Sequence, residues 1–393
     1  MHLATDPNLP DSNRVTAAVA LAECGDGRGT ALLDAQAADD RFGGGQRLRA
    51  ATELTRFAPS RGRDVLCALT VEQRLEDVYR VGAANELTRL RDPWARDAWA
   101  GLAADATLTA EHRVEAARTL QGFGDPRGAD LLAGLAALDG LPAAQRIRAA
   151  SFLMESADPR GADALNTLAA SPGIDGAHRI EAAAALARFG DPRGGDALRA
   201  LAIASTLAAG HRIAAARVLA ELGDPRGADL LESLARSRQL ENSHRVDAAL
   251  ALTDMGDARG PDTLAALASD PAFDVGSRIR AAQLLDEAGD PRGIAALHAL
   301  ASAPRIADPQ RIQAAEALGR LGDSRGANVL FVLASDTGRK GGDRVDAAKA
   351  LDRLGNPSGK QLLTELAADD RIGRLARFKA REAVSNPLRF RRK

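Results

Sequence analysis

Arginines at regular spacing are the residues of this chain best suited to chemistry, because a row of guanidinium groups can bind phosphate or carboxylate. Two such rows recur along the chain at one constant interval, which is the spacing from Arg14 to Arg47. The first, the A ladder, comprises Arg14, Arg47, Arg80, Arg113, Arg146, Arg179, Arg212, Arg245, Arg278, Arg311, Arg344 and Arg377. The second, the B ladder, comprises Arg28, Arg61, Arg127, Arg160, Arg193, Arg226, Arg259, Arg292 and Arg325, and is interrupted at Trp94 and Ser358.

Aspartates keep the same period as the arginines. One row comprises Asp125, Asp158, Asp191, Asp224, Asp257, Asp290 and Asp323, and another comprises Asp130, Asp163, Asp196, Asp229 and Asp262. Matched rows of opposite charge favour pairing inside the protein, with carboxylates or backbone carbonyls, over an exposed rail for anions. The A-ladder arginines from Arg113 to Arg344 are therefore predicted to be structural.

Four histidines, which could in principle bind a metal, stand directly before A-ladder arginines: His112, His178, His211 and His244. Successive repeats are expected to lie about 10 Å apart. Zinc needs nitrogen ligands at about 2.0–2.1 Å, so these histidines cannot share one ion. The same position also holds Asn13, Ser277 and Asp343, which are typical helix N-caps. We predict a helix-start role, no metal or cofactor, and no catalytic residue.

The repeating unit predicts two short helices. After Arg179, apolar residues recur at three-residue steps, which is typical of one face of a helix; they are Ile180, Ala183, Leu186 and Phe189. Gly190-Asp191-Pro192 then supplies a helix stop, an N-cap and a first helical residue. Leu198 and Leu201 mark the second helix. The whole chain is predicted to form about 22 short helices and no strand.

With these residues in place, the unit resembles the HEAT-like repeats of the bilin-lyase type. The resemblance rests on the helix-opening Arg179, on the Ala182-Ala183 pair followed by Leu186, and on the Gly-Asp turn. It implies an all-α, right-handed α-solenoid of about eleven repeats, with the Arg-led helices on the concave face. It covers residues 1–393 as a single domain, with 1–13 as a truncated first repeat and 377–393 as a C-terminal cap and basic tail.

Composition narrows the class of protein. The 393 residues are 45% hydrophobic but only 3% aromatic, and 52 basic residues balance 53 acidic ones. A net charge of −1 argues against a nucleic-acid partner, which requires uncompensated basic groups. Two isolated cysteines, Cys24 and Cys67, indicate a reducing compartment. With no apolar run of membrane-spanning length, the sequence predicts a cytoplasmic protein without membrane contact.

Candidate residues for a protein partner fall into two groups. Tyr79 and Trp94 are aromatic residues in one irregular repeat, and Trp94 replaces a B-ladder arginine at an exposed helix start. Exposed aromatics are typical interface anchors, although both could instead fill a packing gap. The second group comprises Arg118, Arg148, Arg188 and Arg217, on the solvent side of the Arg-led helices. Their neighbours include many acidic residues, a mixture that suits a protein surface better than a phosphate groove.

The N-terminal segment starts in the middle of a repeat, since Leu3 to Pro7 align with Leu267 to Pro271. Little chain therefore precedes the first full helix to cover Val15, Ala18 and Leu21. We expect an exposed apolar face here, which would promote self-association or be covered by another chain. The same start favours a C-terminal piece of a longer protein. Arrays of this sort resemble the sensor regions that follow NACHT-type nucleotidases in bacterial signalling proteins.

The favoured function is therefore a non-catalytic scaffold for protein interaction or ligand sensing, and the sequence predicts no enzyme. Two alternatives stay open. One is a helical-repeat enzyme of the bilin-lyase or DNA-glycosylase type; a glycosylase would need a basic groove around a flipped base. The other is a structural array that assembles with copies of itself.

Overall fold

The computed structural model describes residues 2–385, which form 24 α-helices and contain no strand. Their bounds are α1 His2–Thr5, α2 Asp11–Glu23, α3 Gly27–Ala38, α4 Gly44–Phe57, α5 Pro59–Val71, α6 Asp77–Arg89, α7 Ala95–Ala104, α8 Ala110–Gly122, α9 Pro126–Ala137, α10 Ala143–Glu155, α11 Pro159–Ala170, α12 Gly176–Arg188, α13 Pro192–Ile203, α14 Ala209–Glu221, α15 Pro225–Arg236, α16 Asn242–Asp254, α17 Arg259–Ser269, α18 Val275–Glu287, α19 Arg292–Ser302, α20 Asp308–Arg320, α21 Ser324–Ser335, α22 Gly341–Arg353, α23 Pro357–Ala368 and α24 Arg374–Ser385. The all-helical α-solenoid predicted from the repeat is confirmed.

From α2 onward, the even-numbered helices carry the A ladder and are called A helices; the odd-numbered helices from α3 onward are called B helices. The turn between them follows from its residues. Gly124 takes a φ of 71° after α8, a left-handed conformation that suits glycine. The Asp125 carboxylate then accepts the Arg127 backbone N–H at 3.1 Å, and Pro126 occupies the first turn of α9. One helix thus ends and the next begins within a few residues.

The chain divides into two compact units, residues 1–197 and 198–393. In the first unit, A helices such as α8 and α10 pack on each other, and so do B helices such as α7 and α9. In the second unit, α16 packs on α18 and α17 on α19 in the same way. Each unit therefore consists of a layer of A helices and a layer of B helices.

The core of each unit lies between its two layers and is built from alanine and leucine. In the first unit, Ala117 and Leu120 of α8 and Leu132 of α9 lie in this space, and all three are fully buried. In the second unit, Ala282 and Leu285 of α18 are buried in the same positions. Small alanines allow the short helices to approach closely, which explains how each unit forms a packed core with few aromatic residues.

A glycine near the start of nearly every B helix brings the two layers together. In α15, a Cβ placed on Gly227 would overlap the Ala220 backbone nitrogen and would stand 2.7 Å from the Ala216 carbonyl oxygen. Any side chain there would force α14 and α15 apart. The same position holds Gly29, Gly62, Gly128, Gly161, Gly194, Gly260, Gly293, Gly326 and Gly359.

The expected exposure of the first full helix is wrong for two of its three residues. Val15 and Ala18 are both 0% exposed, and Leu21 is half-buried. The single turn of α1 is enough to cover them, because Ala4 packs into the core and its carbonyl oxygen accepts a hydrogen bond from Gln36 at 3.1 Å. The large aliphatic side chain that stays exposed in this segment is that of Leu3, at 63%.

The last described helix, α24, begins before the predicted start at Arg377. Its Ala380 is buried, whereas Leu375 and Phe378 are 69% and 64% exposed. The described part of the predicted cap, residues 377–385, is therefore not uniformly polar. Residues 386–393, which include the basic tail, lie outside the described part of the chain.

Candidate protein-interaction surface

The A-ladder arginines lie at the junction between repeats. From Arg47 to Arg344, each donates its Nε–H to the carbonyl oxygen of the residue ten positions earlier, at 2.9–3.2 Å. These carbonyls belong to the last turn of the preceding B helix, where no intrahelical N–H is available. The cation is also favourable beside the negative end of that helix dipole. Each of these arginines thus caps one helix while starting the next.

Some A-ladder arginines gain a second partner, an acid that directly follows the next B helix. The Nη2 atom of Arg47 lies 2.6 Å from Glu72 Oε2, and that of Arg80 lies 2.5 Å from Asp105 Oδ2. This contact with Arg80, together with backbone and Thr107 donors, holds the pKa of the Asp105 carboxyl at about 2. Arg344 approaches Asp369 in the same way, at 3.5 Å.

B-ladder arginines form a second connected set of ion pairs. Arg160 binds Asp158 of its own turn at 2.6 Å and Asp130 of the preceding B helix at 2.8 Å. Within the first unit, the pairs Arg127–Asp97 and Arg193–Asp163 repeat the link between helices, and in the second unit Arg259–Asp229 and Arg292–Asp262 do so. These B-ladder guanidinium groups therefore form ion pairs with aspartates of the protein itself.

At least two of the four histidines in the ladder column contact groups at their own helix start. His112 Nδ1 lies 2.8 Å from Thr109 Oγ1, the N-cap of its own helix, and 3.4 Å from Asp77 Oδ2 at the start of α6. His178 contacts the Asp175 carboxylate, which also accepts backbone N–H groups of α12. Across residues 2–385, no three His, Cys, Asp or Glu side chains come together in a way that could hold a metal ion.

The two aromatic candidates are placed at opposite ends of α6. Tyr79 lies in its first turn, and Trp94 follows its C-terminus by five residues, so at least about 15 Å of helix separates them. Tyr79 is half-buried, and its ring covers Gly44 and Gly45, so that a Cβ on Gly44 would overlap the ring. Trp94 is 56% exposed at the start of α7. Of the two, Trp94 alone is available as an exposed anchor.

Arg118 of α8 and Arg148 of α10, by contrast, are brought together. Both guanidinium carbons lie over the ring of Phe152, at 4.5 and 5.7 Å from its centroid. Glu115 contacts Arg148 directly and lies 3.6 Å from Arg118. We call these four residues the Phe152 cluster. Both arginines remain about half exposed, with side chains 52% and 40% accessible.

The remaining two candidate arginines stand apart from this cluster. Arg188, at the end of α12, is exposed and forms no ion pair with an acid among the described residues. Arg217 of α14, in the second unit, is exposed and lies 3.6 Å from Glu221 on its own helix.

Sequence reasoning identified Arg118 and Arg148 but missed Phe152. A signal was available, because the corresponding position in other A helices is often alanine, as at Ala185, Ala251 and Ala317. Phe152 is therefore oversized for its position. It is 8% exposed, so little of its ring is accessible from the surface.

Comparison with known proteins bears on the fold. Residues 173–249 match the family model for HEAT repeats. Human deoxyhypusine hydroxylase in complex with glycerol is similar to this chain at 20% sequence identity and a TM-score of 0.26, over 76% of this chain and 98% of the hydroxylase. No match was found among curated proteins. None of the helices within residues 2–385 has the length and apolar character needed to cross a membrane. The paired A and B helices form an α-solenoid, and residues 173–249 of it are similar to HEAT repeats.

Proposed function

We propose that this protein is a non-catalytic scaffold that binds a protein partner through the A-helix layer of its first unit. The proposal rests on the Phe152 cluster, in which two exposed arginines are fixed against an aromatic ring. Arginine is enriched among the residues that dominate binding energy at protein interfaces. Because Glu115 and Phe152 already restrict both side chains, less conformational entropy is lost when a partner binds.

The ladders support this choice by elimination. Most of their guanidinium groups cap helices or bind acidic residues within the protein, which leaves the solvent side of the A helices as the favoured surface for a protein partner. Arg118 and Arg148 lie there in adjacent repeats, beside Glu115 and Glu111. Acidic groups so close to the arginines would repel a phosphate backbone, whereas a protein surface can offer both charges in a matching pattern.

A comparison of two double variants tests the proposal. The Arg118→Ala/Arg148→Ala chain and the wild-type chain, both immobilised, would be exposed to an extract of the source cells. Bound proteins would be quantified by mass spectrometry. We expect at least one partner to be retained by the wild type and to be depleted about tenfold or more on the variant, since interface arginines contribute about 2 kcal/mol or more.

The matched control is Arg41→Ala/Arg96→Ala, which removes two exposed arginines from the same unit but outside the A-helix layer. It should retain the same partner at the wild-type level. If both double variants lose the partner equally, binding depends on net charge and not on the Phe152 cluster. If neither variant changes the bound set, this surface is not the interface.

The same proposal includes a cellular compartment and a biological role. Cys24 and Cys67 are both free thiols, which supports a reducing compartment such as the cytoplasm. The resemblance to arrays in bacterial NACHT-type signalling proteins supports a sensing role, in which the bound protein is the signal. Redox-state labelling of both thiols in intact cells would test the compartment; a thiol found oxidised there would contradict it.

A further inference from the structure

A pocket of about 560 Å³ opens between α7 and α9 in the B-helix layer of the first unit. It belongs to the opposite layer from the Phe152 cluster. Its walls are mainly apolar. The lining includes the apolar residues Ala100, Ala104, Leu131, Gly134 and Leu138, together with the charged residue Arg113. Its volume is within the usual range for small-molecule sites, about 300–1,000 Å³.

Arg113 lacks the acidic partner that some other A-ladder arginines have. Arg47 and Arg80 each bind a carboxylate that directly follows the next B helix. At the equivalent position for Arg113, directly after α9, stands Leu138, which is 43% exposed. Arg113 keeps its Nε hydrogen bond to the Ala103 carbonyl at 3.2 Å, but no acid within the described residues forms an ion pair with it. Its terminal N–H groups are therefore free to bind an anion in the pocket.

The other charged residues of the pocket are already neutralised. Arg127 binds Asp125 at 2.7 Å and Asp97 at 2.8 Å, and Asp130 binds Arg160 at 2.8 Å. Arg113 is thus the one uncompensated charge among the described lining residues. A ligand that matches the pocket carries a single negative charge and an apolar body.

We propose that this pocket binds a small apolar carboxylate, with the carboxylate on Arg113 and the hydrocarbon against Leu131 and Leu138. The planar guanidinium fork matches a carboxylate, and the pair is stronger than a neutral hydrogen bond. The bound carboxylate takes the place that Glu72 and Asp105 occupy beside Arg47 and Arg80. Binding by the hydrocarbon follows from burial of apolar surface against these leucines.

Titration calorimetry with decanoate on the full chain tests this directly. Wild-type protein should give saturable binding at a 1:1 ratio. Decanol, which has the same chain length but no charge, should bind about tenfold more weakly or worse, since a hydrogen bond to a charged group contributes about 1.5–3 kcal/mol. Equal affinity for decanol would mean that Arg113 takes no part, which would overturn the proposal.

Leu138→Asp is the sharpest variant, because it supplies the missing partner from within the chain. The new carboxylate should pair with Arg113 as Asp105 pairs with Arg80, reducing decanoate affinity about tenfold or more without loss of thermal stability. Ser237→Asp is the matched control, since Ser237 directly follows α15 and holds the equivalent position relative to Arg212 in the second unit. It should leave decanoate binding unchanged.

Gly134→Leu tests the apolar wall. Nothing lies within 4 Å of a Cβ at Gly134, so the new side chain can enter the pocket without displacing the protein. Its control is Gly101→Leu, at the same register position of α7, which also has open space and does not line the pocket. Decanoate binding should be lost in the first variant and kept in the second. Both should keep the wild-type circular dichroism spectrum.

Two further results would overturn the proposal. One is decanoate binding that Leu138→Asp and Gly134→Leu leave unchanged, which would show non-specific association. The other is binding of a leucine-terminated peptide by its C-terminal carboxylate when decanoate does not bind, which would make the ligand a polypeptide. Arg118→Ala/Arg148→Ala should bind decanoate normally, so the outcome is independent of the proposed protein interface.

Discussion

The Nε–H of Arg245 donates to the carbonyl oxygen of Ala235 at 2.9 Å, so an arginine in the first turn of α16 also closes the end of α15. The guanidinium lies over the Phe273 ring, 4.3 Å from its centroid, and burial lowers the pKa of Arg245. A bond that joins successive repeats in this way gives the regular period of the arginines a physical cause: each repeat leaves unpaired carbonyls that the arginine of the next repeat satisfies.

Removing one such arginine should destabilise the fold. In Arg212→Ala the Ala202 carbonyl, which now accepts from Arg212 Nε at 3.1 Å, loses its partner in the last turn of α13. We expect a loss of about 1–3 kcal/mol in the free energy of unfolding, measured by urea denaturation. Arg217→Ala, on the exposed side of the same helix, is the control and should change stability by less than about 0.5 kcal/mol. Equal effects in the two variants would contradict a capping role.

Acid should weaken the turns that begin the B helices. The Arg259 side chain, and then its backbone N–H, hold the pKa of Asp257 at about 2, compared with an ordinary value of 3.8. Because the pKa is lowered in the folded state, the ionised carboxylate stabilises the fold. That contribution is complete above pH about 4 and is lost as the pH falls from about 4 towards about 2.

The melting temperature of Asp257→Asn should therefore depend less on pH in this window than that of the wild type. Asp254→Asn changes the formal charge equally at an exposed site of the same repeat. Its curve should follow the wild-type curve. If Asp257→Asn shows the full wild-type loss between pH about 4 and about 2, the Asp257–Arg259 pair does not contribute to acid sensitivity.

Much of the fold could be predicted because each repeat contains residues that mark where its helices begin and end. Arg179 and the Gly190-Asp191-Pro192 turn recur often enough to define both helices and their ends. The described residues form 24 helices, two more than the number predicted, because the truncated first repeat adds α1 and the C-terminal cap adds α24 to the eleven pairs from α2 to α23. The role of Gly227 was also missed, because close contact between two backbones leaves no mark on the hydrophobic pattern.

The candidate sites were harder to predict, because they depend on exceptions to the repeat. Phe152 joins Arg118 to Arg148, but an isolated phenylalanine in an apolar helix resembles a core residue. Leu138 leaves Arg113 without an acidic partner, because it stands where an acid follows the B helix beside Arg47 and Arg80. The two positions are distant in the chain, so their relationship becomes apparent only from the ion pairs of Arg47 and Arg80. Such departures from the repeat are visible in the sequence, but the role of each residue follows only from its side-chain contacts in the structure.

The two aromatic candidates should respond differently to truncation. Tyr79→Ala removes a ring that packs on Gly44 and Gly45. We expect a loss of about 2 kcal/mol in stability, below the about 3–5 kcal/mol of a fully buried aromatic side chain, because Tyr79 is only half-buried. Trp94→Ala should leave the melting temperature nearly unchanged, since Trp94 is 56% exposed. Thermal melts of both variants would check this. A large stability loss in Trp94→Ala would assign that residue to packing instead of to an interface.

Ala157 offers a prediction in the opposite direction, a gain of stability. It takes a φ of 58° in the turn after α10, where the corresponding turns use glycine, such as Gly124 and Gly190. A left-handed conformation costs an L-residue roughly 1–2 kcal/mol, mostly through its Cβ. Ala157→Gly should therefore raise the free energy of unfolding by about 1 kcal/mol, measured by urea denaturation, after the greater flexibility of glycine in the unfolded chain is subtracted.

The reciprocal variant, Gly190→Ala, isolates the same effect. Gly190 has a φ of 81° and nothing within 4 Å of a Cβ, so the added methyl introduces backbone strain without a steric clash. It should lower stability by about 1 kcal/mol. Opposite changes of similar size at the two positions would show that the left-handed turn controls both. A stability loss in Ala157→Gly would mean that the turn tolerates alanine and that the recurrence of glycine has another cause.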